Sequence, residues 1–368
     1  MIIAEEQLLF PWVEKQIQDF LHRHSLKKVD LINLGIGDTC HNLPECIVQA
    51  LHHATNEMQK RPIGYGDELG DKKFREKICQ TVYAPFNFNK DEVMITEGII
   101  NSLSHLIHLF PEGSTFGILS PTYPGYKSLL QTSRMKIEEV CKEFIPPSIH
   151  LDAMILCSPN NPTGIAFSRE ELQKWVDWAI DTDTILLFDG AYESFINCPN
   201  TPCSIYEIEG AKYVAIELRS FSKSLGFSGL RLGYFTVPKE IRGGSTLFFA
   251  HKLMIVRTNG VSYVIQQAGI AALSTEGLAE IARLSAHYMK MTKKLKDFLT
   301  SKGHPITGGI AAPYLLWECT GCSKENFLTM LQNHHTITVP GLGFGVDGFL
   351  RLSGFINEQI FEKVVREF

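Results

Sequence analysis

Short apolar runs alternate with amphipathic stretches through the middle of the chain. The apolar runs predict β-strands at residues 93–96, 116–119, 153–157, 185–189, 213–217 and 230–237. Between them, apolar residues at helical spacing predict α-helices such as 98–110 and 169–180, and Ser168 with Glu171 forms a capping box before the second helix. Strands that alternate with helices in this way indicate an α/β fold, in which a mostly parallel sheet carries helices on both faces.

The pattern changes near residue 277. A long helical stretch at about 277–301 is followed by short candidate strands at 312–318, 336–339 and 349–352. We therefore predict a large α/β domain over residues 34–276 and a smaller domain that combines residues 1–33 with residues 277–368. A chain of 368 residues has the length expected for about two domains.

Composition and charge exclude several classes of protein. Hydrophobic residues make up 44% of the chain and charged residues 20%, which is typical of a globular protein. The net charge of -5 gives no electrostatic reason to expect nucleic acid or an anionic membrane as a partner. No apolar run reaches about 18 residues, so we predict no membrane span. The acidic first residues are unlike a secretory signal, and nine scattered cysteines indicate reduced thiols in the cytoplasm.

Polar motifs follow three of the predicted strands. The segment 158–164 follows one strand, Asp189 closes another, and the segment 220–223 follows a third. Ligands in open α/β sheets bind beyond the carboxyl ends of the strands. We therefore expect these three motifs to meet at one edge of the sheet.

Lys223 is the candidate nucleophile of this edge. On its own segment, a solvated surface lysine is an equally good interpretation. A lysine amine can also form a Schiff base with an aldehyde cofactor, and the nearby positive charge of Arg231 would lower its pKa. Ser220 and Arg231 are suitable ligands for a phosphate group.

Asp189 ends a strongly apolar strand, so its carboxylate is expected to be partly buried and to need a cationic partner. A protonated pyridine nitrogen is such a partner, and this pairing makes pyridoxal phosphate an electron sink. Tyr192 and Asn161 could each donate a hydrogen bond to a phenolate oxygen on the same ring. Alone, the Asn-Pro-Thr-Gly sequence from Asn161 to Gly164 is an ordinary turn signal.

In this order along the chain, the motifs resemble the fold-type I, aspartate-aminotransferase-like enzymes that use pyridoxal 5′-phosphate. The resemblance covers the chain from Gly35 to about Phe355. It implies a large domain with a mostly parallel seven-stranded sheet between helices, together with a smaller α+β domain. It also implies that Lys223 is the Schiff-base lysine and later carries the substrate proton, and that Asp189 pairs with the pyridinium nitrogen.

The resemblance implies further contacts with the cofactor and the substrate. These are Tyr192 and Asn161 at the ring oxygen, Tyr123 stacked on the ring, Gly98, Ile99, Ile100, Ser220 and Arg231 at the phosphate, and Tyr65 at the phosphate of the neighbouring subunit. Arg351 matches the arginine that clamps the substrate α-carboxylate through two parallel hydrogen bonds. The resemblance therefore implies an aminotransferase that acts on amino acids and keto acids, and a homodimer with shared active sites.

Within this group the chain is most similar to the LL-diaminopimelate aminotransferases. The similarity lies in residues 34–39, 64–70, 219–223, 231–234, 258–263 and 340–345. It implies that an amino group is transferred from glutamate to tetrahydrodipicolinate, which gives LL-diaminopimelate and 2-oxoglutarate. This reaction would supply precursors of lysine and peptidoglycan. Gly37, Asn161 and Arg351 would contact the substrate, and Glu68 and Asn259 would reach its distal end from the partner subunit.

Several positions depart from that pattern. Those enzymes carry an Asp-Gly-Ala-Lys sequence at the phosphate site, whereas residues 97–100 of this chain read Glu-Gly-Ile-Ile and lack the lysine. Residues 40–42 read Cys-His-Asn in place of a more typical polar run. Glu68 could instead be a solvated loop carboxylate, and Asn259 a turn residue before Gly260. An aminotransferase of aspartate or aromatic amino acids, or a pyridoxal-phosphate lyase, is therefore kept as the alternative.

Other cysteines and histidines do not form a metal-ligand pattern. Cys319 and Cys322 form a lone C-x-x-C pair with no second pair or histidines at suitable spacing, so we predict two free thiols in a turn. His105 and His108 share a helical face without an acidic third ligand. We predict no metal.

Overall fold

The computed structural model describes residues 9–141 and 149–368. Its helices are α1 Leu9–His24, α2 Glu45–Lys60, α3 Lys72–Thr81, α4 Ile99–Leu106, α5 Pro124–Thr132, α6 Arg169–Thr182, α7 Ser245–Arg257, α8 Tyr263–Ala272, α9 Thr275–Ser301, α10 Ser323–His334 and α11 Glu358–Glu367. Its strands are β1 Ile32–Asn33, β2 Val93–Thr96, β3 Thr115–Ser120, β4 Lys136–Cys141, β5 Ala153–Cys157, β6 Ile185–Asp189, β7 Ala215–Ser220, β8 Gly233–Thr236, β9 Ile306–Gly308, β10 Tyr314–Glu318, β11 Thr336–Ile337, β12 Val339–Pro340 and β13 Phe349–Ser353.

A seven-stranded sheet organises the larger part of the molecule, in the order β2-β8-β7-β6-β5-β3-β4. Strands β7, β6, β5, β3 and β4 run parallel, while β8 is antiparallel to both of its neighbours. Every residue of β5, β6 and β7 is buried, because hydrophobic clusters cover both faces of the sheet. The predicted α/β fold with a mostly parallel sheet is confirmed.

Three predicted strands agree with the structure to the residue, namely those that became β2, β5 and β6. The prediction for β7 began and ended too early. Residues 211–213 form a 3₁₀ turn after Gly210, and the strand continues through Glu217 to Ser220. Glu217 is fully buried, and its carboxylate accepts hydrogen bonds from Tyr83 and Arg219. Because these partners compensate the buried charge, the strand can contain a charged pair among its apolar residues.

Strand β4 was not predicted, because it is an edge strand whose side chains are mostly exposed or half-buried. The predicted strand at 230–237 is shorter in the structure, since Arg231 takes a positive φ of 60° that is incompatible with an extended strand. The capping box of α6 is confirmed, with Ser168 Oγ accepting from the Glu171 amide at 3.2 Å. The predicted helix at 98–110 ends at Leu106 and continues only as a 3₁₀ turn.

Both ends of the chain pack together beside this large unit. Apolar residues on one face of α1, among them Val13, Ile17 and Phe20, share a cluster with Phe327 and Leu331 of α10. Strand β1 pairs in parallel with β11, and β12, β13, β10 and β9 form a four-stranded sheet. The predicted domain boundaries stay a prediction that this packing supports. Over residues 9–141 and 149–368, no helix combines the length and the apolar character that crossing a bilayer requires.

Candidate active site

A cavity of about 320 Å³ opens at the carboxyl ends of β5, β6 and β7. Sequence-predicted residues that line it are Gly37, Ile99, Ile100, Tyr123, Asn161, Asp189, Tyr192, Ser220, Lys223, Arg231 and Arg351. These residues come from segments that are far apart in the sequence. The parallel strands bring them together, as the rule for open α/β sheets leads one to expect.

Lys223 lies in the turn after β7, and its side chain is only 21% exposed. Its amine donates a hydrogen bond of 2.7 Å to the carbonyl oxygen of Gly37 and lies 4.0 Å from Oδ1 of Asp38. Burial lowers the pKa of the Lys223 amine below its ordinary value, and the positive charges of Arg351 and Arg231 lower it further against the opposing effect of Asp38. A lowered pKa makes the amine a better nucleophile and proton acceptor near neutral pH.

Asp189 ends β6 and is 4% exposed. Its Oδ2 accepts a hydrogen bond of 2.5 Å from the hydroxyl of Tyr126, and its Oδ1 accepts one of 2.9 Å from the Ala191 amide. Burial raises the pKa of the Asp189 carboxyl to about 6. No cation pairs with this carboxylate among the described residues, so the site provides a buried negative charge at the cavity wall that fits a protonated ring nitrogen.

The first turn of α4 forms an anion cradle with the turn after β7. Gly98 caps the helix with a φ of 97°, so the chain turns sharply and presents the amides of Ile99 and Ile100 at the cavity. Arg231 is braced by 2.9 Å hydrogen bonds from its guanidinium to the carbonyl oxygens of Glu97 and Ser228. A Cβ on Gly98 would lie 2.8 Å from Nη2 of Arg231, so this approach requires glycine.

Ser222 completes this cradle and was not predicted as a site residue, although it lies within the motif around Lys223. Its amide donates to Ser220 Oγ at 3.1 Å, and both serines line the cavity. Hydroxyls, helix amides and a guanidinium together fit a phosphate group.

Arg351 is 2% exposed and lies on β13 at the cavity. Nη1 donates to Oδ1 of Asn161 at 3.0 Å and Nη2 donates to the carbonyl oxygen of Gly35, while the buried Nε has no partner. The guanidinium carbon lies 4.8 Å from the centre of the Tyr314 ring and 5.1 Å from that of Phe344. Across the described part of the chain, no carboxylate forms an ion pair with Arg351, which leaves it available for a carboxylate of a ligand.

Four tyrosines complete the wall of the cavity. The Tyr192 hydroxyl lies 2.9 Å from that of Tyr314, and the ring of Tyr123 meets that of Tyr126 edge-on at 5.5 Å. Tyr126 and Tyr314 were missed from the sequence. Tyr126 carries a signal, since it follows Tyr123 by three residues on the same helical face, whereas Tyr314 is indistinguishable from the core residues of its strand.

Tyr65, Glu68 and Asn259 do not line the cavity. All three are exposed, and Tyr65 is 90% exposed. Their loops nevertheless adjoin, since a Cβ on Gly260 would lie 3.2 Å from the carbonyl oxygen of Asp67. The three predicted cross-subunit residues therefore lie on two neighbouring surface loops.

The fold and this site are those of an aminotransferase, and comparison with known proteins agrees. The sequence profile of the class I and II aminotransferases matches residues 29–367, so the chain belongs to that family. Pyridoxal 5′-phosphate is accordingly the cofactor, and the substrates are small molecules, namely amino acids and keto acids. The buried acidic group, the anion cradle and the buried lysine described above fit this cofactor.

Individual relatives of this chain share one name within the family. LL-diaminopimelate aminotransferase of Bacteroides thetaiotaomicron is 36% identical over 381 residues, which cover 94% of this chain and 92% of the relative. That of Protochlamydia amoebophila is 37% identical, over 94% of this chain and 90% of the relative. The solved structure of the Chlamydomonas reinhardtii enzyme of the same name has a TM-score of 0.91 and 31% identity, and covers 100% of this chain and 98% of that one.

Proposed function

We propose that this enzyme is an LL-diaminopimelate:2-oxoglutarate aminotransferase. The observation that carries the proposal is the buried, unpaired guanidinium of Arg351 in the same cavity as Lys223 and Asp189. This arrangement suits an α-amino acid, whose carboxylate would bind Arg351 while its amino group faces the lysine. The names of the relatives support diaminopimelate as the amino acid.

When bound, the cofactor supplies an electron-withdrawing ring that accepts the negative charge developing at the substrate α-carbon. Lys223 would hold the cofactor before substrate binds, and its amine would carry the proton from the substrate α-carbon to the cofactor. Asp189 would pair with the ring nitrogen, while Tyr192 and the amide nitrogen of Asn161 would donate to the ring oxygen. Tyr123 would stack on the ring.

The phosphate end and the substrate end have separate sets of residues. Ile99, Ile100, Ser220 and Arg231 would bind the phosphate at the helix start that Gly98 makes possible. Arg351, Asn161 and Gly37 would bind the α-carboxylate end of the amino acid. Two donors that converge on one carboxylate fix its orientation as well as its position.

A homodimer would supply the remaining contacts. Helix α7 exposes Phe248, Phe249 and Val256, the last by 81%, and an apolar face of this kind is typical of a subunit interface. Pairing through α7 and the adjoining loops would bring Tyr65 to the partner's phosphate site, and Glu68 and Asn259 to the distal end of the partner's substrate. A carboxylate and an amide suit the distal ammonium group of a diamino acid.

The cytoplasm is the compartment that the cysteines support. All nine are free thiols, and eight of them are exposed or half-buried. Free thiols of this number are typical of a reducing compartment.

The substrate can be tested with the purified, cofactor-loaded enzyme in a half-reaction. LL-diaminopimelate, meso-diaminopimelate, aspartate, glutamate and phenylalanine are added separately, and the visible absorbance of the cofactor is followed. We expect rapid conversion by glutamate and the LL isomer. Conversion by aspartate or phenylalanine with no response to LL-diaminopimelate would contradict the assignment and leave only the family.

Glu68 provides a second test, because its proposed contact is specific to the diamino substrate. Glu68→Gln should raise KM for LL-diaminopimelate and leave KM for glutamate unchanged. Glu209→Gln, an exposed loop carboxylate that does not line the cavity, is the matched control. Equal losses with both substrates would remove Glu68 from the distal site.

A further inference from the structure

Asp38 is a charged side chain beside Lys223 that the roles above do not use. Its Oδ1 lies 4.0 Å from Nζ of Lys223, and the carbonyl oxygen of the preceding residue, Gly37, accepts a hydrogen bond from the same nitrogen at 2.7 Å. Two consecutive residues therefore offer the lysine amine a carbonyl oxygen and a carboxylate.

The Asp38 side chain is held in this position from two directions. Its Oδ1 accepts a hydrogen bond of 2.9 Å from the Thr39 amide and one of 2.5 Å from the hydroxyl of Ser228. The same hydroxyl lies 3.2 Å from the carbonyl oxygen of Ser222, the residue before Lys223. Ser228 thus connects the Asp38 carboxylate to the turn that carries the lysine.

Apart from Asp38, the charges that shift the pKa of Lys223 are positive. Arg351 and Arg231 both lower the pKa of the lysine, in the same direction as burial, whereas Asp38 raises it. Asp189 lines the same cavity, but among the described residues it forms no ion pair with Lys223. Over the described part of the chain, Asp38 is the carboxylate that forms an ion pair with Lys223.

We propose that Asp38 is a positioning residue for Lys223, holding the freed amine at the Gly37 carbonyl and stabilising its ammonium form. This inference rests on the role of Lys223 given under the proposed function. The proton that Nζ takes from the substrate α-carbon stays on Nζ until Nζ passes it to the cofactor, and Asp38 does not bind it. Asp38 keeps the protonated amine from being driven away by the two guanidinium groups.

The proton affinity of Lys223 can be measured in the apoenzyme. Amine labelling with trinitrobenzenesulfonate over a pH series, with the Lys223 peptide quantified by mass spectrometry, gives the pH midpoint of that one lysine. In Asp38→Asn we expect the midpoint to fall by about half a unit to one unit, the size of a partly screened charge interaction at this distance. Asp181→Asn, an exposed carboxylate on α6 before β6 begins, is the matched control and should leave it unchanged.

Ser228→Ala keeps the carboxylate but removes its clamp, so it should shift the midpoint in the same direction by less. In the cofactor-loaded enzyme, Asp38→Asn should lower kcat and move the pH profile while the Kd for pyridoxal phosphate changes little. An unchanged Lys223 midpoint in both variants would overturn the proposal, as would a rise.

Failure of the underlying assignment gives a different result. Borohydride reduction of the wild-type holoenzyme should fix the cofactor on the peptide that contains Lys223. Absence of that product would refute the role of Lys223 itself. Its presence together with an unshifted midpoint would refute only the role of Asp38.

Discussion

Asp189→Asn should make the apoenzyme more stable while weakening its hold on the cofactor. Burial raises the pKa of the carboxyl from 3.8 to about 6, so ionising it inside the protein costs more than ionising it in the unfolded chain. A shift of about two units corresponds to roughly 3 kcal/mol at neutral pH. Asparagine has nearly the same shape and can keep both contacts, accepting from the Ala191 amide and donating to the Tyr126 hydroxyl.

The pH dependence has a definite sign. Because the pKa is higher in the folded state, the stability linked to protonation of Asp189 is fully present below about pH 4 and is lost as the pH rises through about 6. The asparagine variant should therefore exceed the wild type by up to about 3 kcal/mol at pH 7.5, and this advantage should disappear near pH 4. Other titrating groups are common to both proteins and cancel in the difference.

Urea unfolding of both apoenzymes at a series of pH values measures the difference in the free energy of unfolding. A titration with pyridoxal phosphate measures the loss of affinity for the cofactor. A neutral amide cannot pair with a protonated ring nitrogen, so the Kd should rise about ten- to a hundred-fold, the value of one charge-assisted hydrogen bond. A stability difference that does not vary with pH, or an unchanged Kd, would refute the account of Asp189 as a buried charge awaiting a cation.

Three further changes test other parts of the site. Tyr126→Phe removes the hydrogen bond that lowers the pKa of Asp189, so the pKa of that carboxyl should rise. When the holoenzyme is acidified stepwise, the variant should therefore release the cofactor at a higher pH than the wild type does. Gly98→Ala should destabilise the protein by about 1–3 kcal/mol in urea unfolding and weaken phosphate binding, because alanine disfavours a positive φ and its Cβ would press on Arg231. Arg351→Lys should raise KM for amino acid substrates about ten- to a hundred-fold with the cofactor Kd unchanged, since lysine lacks the planar fork.

The sequence predicted the centre of the sheet and the cavity well because both depend on local patterns. Strands β5 and β6 are continuous apolar runs, and each is followed directly by a polar motif that needs no long-range information to be noticed. The edge strand β4 has no such run, since it buries little. Strand β7 continues beyond its predicted end at Glu217 because Glu217 is buried with a partner, Arg219, and that pairing is not evident from an apolar pattern.

The residues missed at the site share a different cause. Tyr126, Tyr314 and Ser222 act through neighbours that only the fold provides: the carboxylate of Asp189, the guanidinium of Arg351 and the hydroxyl of Ser220. Their roles are set by distance in space. The spacing of Tyr126 from Tyr123 and the place of Ser222 beside Lys223 are weak signals, and Tyr314 gives none.

Asp189 and Arg351 together show why this cavity favours a charged ligand pair. Each is almost fully buried, each has hydrogen bonds but no ion pair among the residues that the structure describes, and burial shifts the pKa of each towards the neutral form. Isolated buried charges of this kind destabilise a protein unless a ligand compensates them. A cationic ring nitrogen at Asp189 and a carboxylate at Arg351 would compensate both at once. We therefore expect cofactor and carboxylate substrate to stabilise the fold through opposite ends of one cavity.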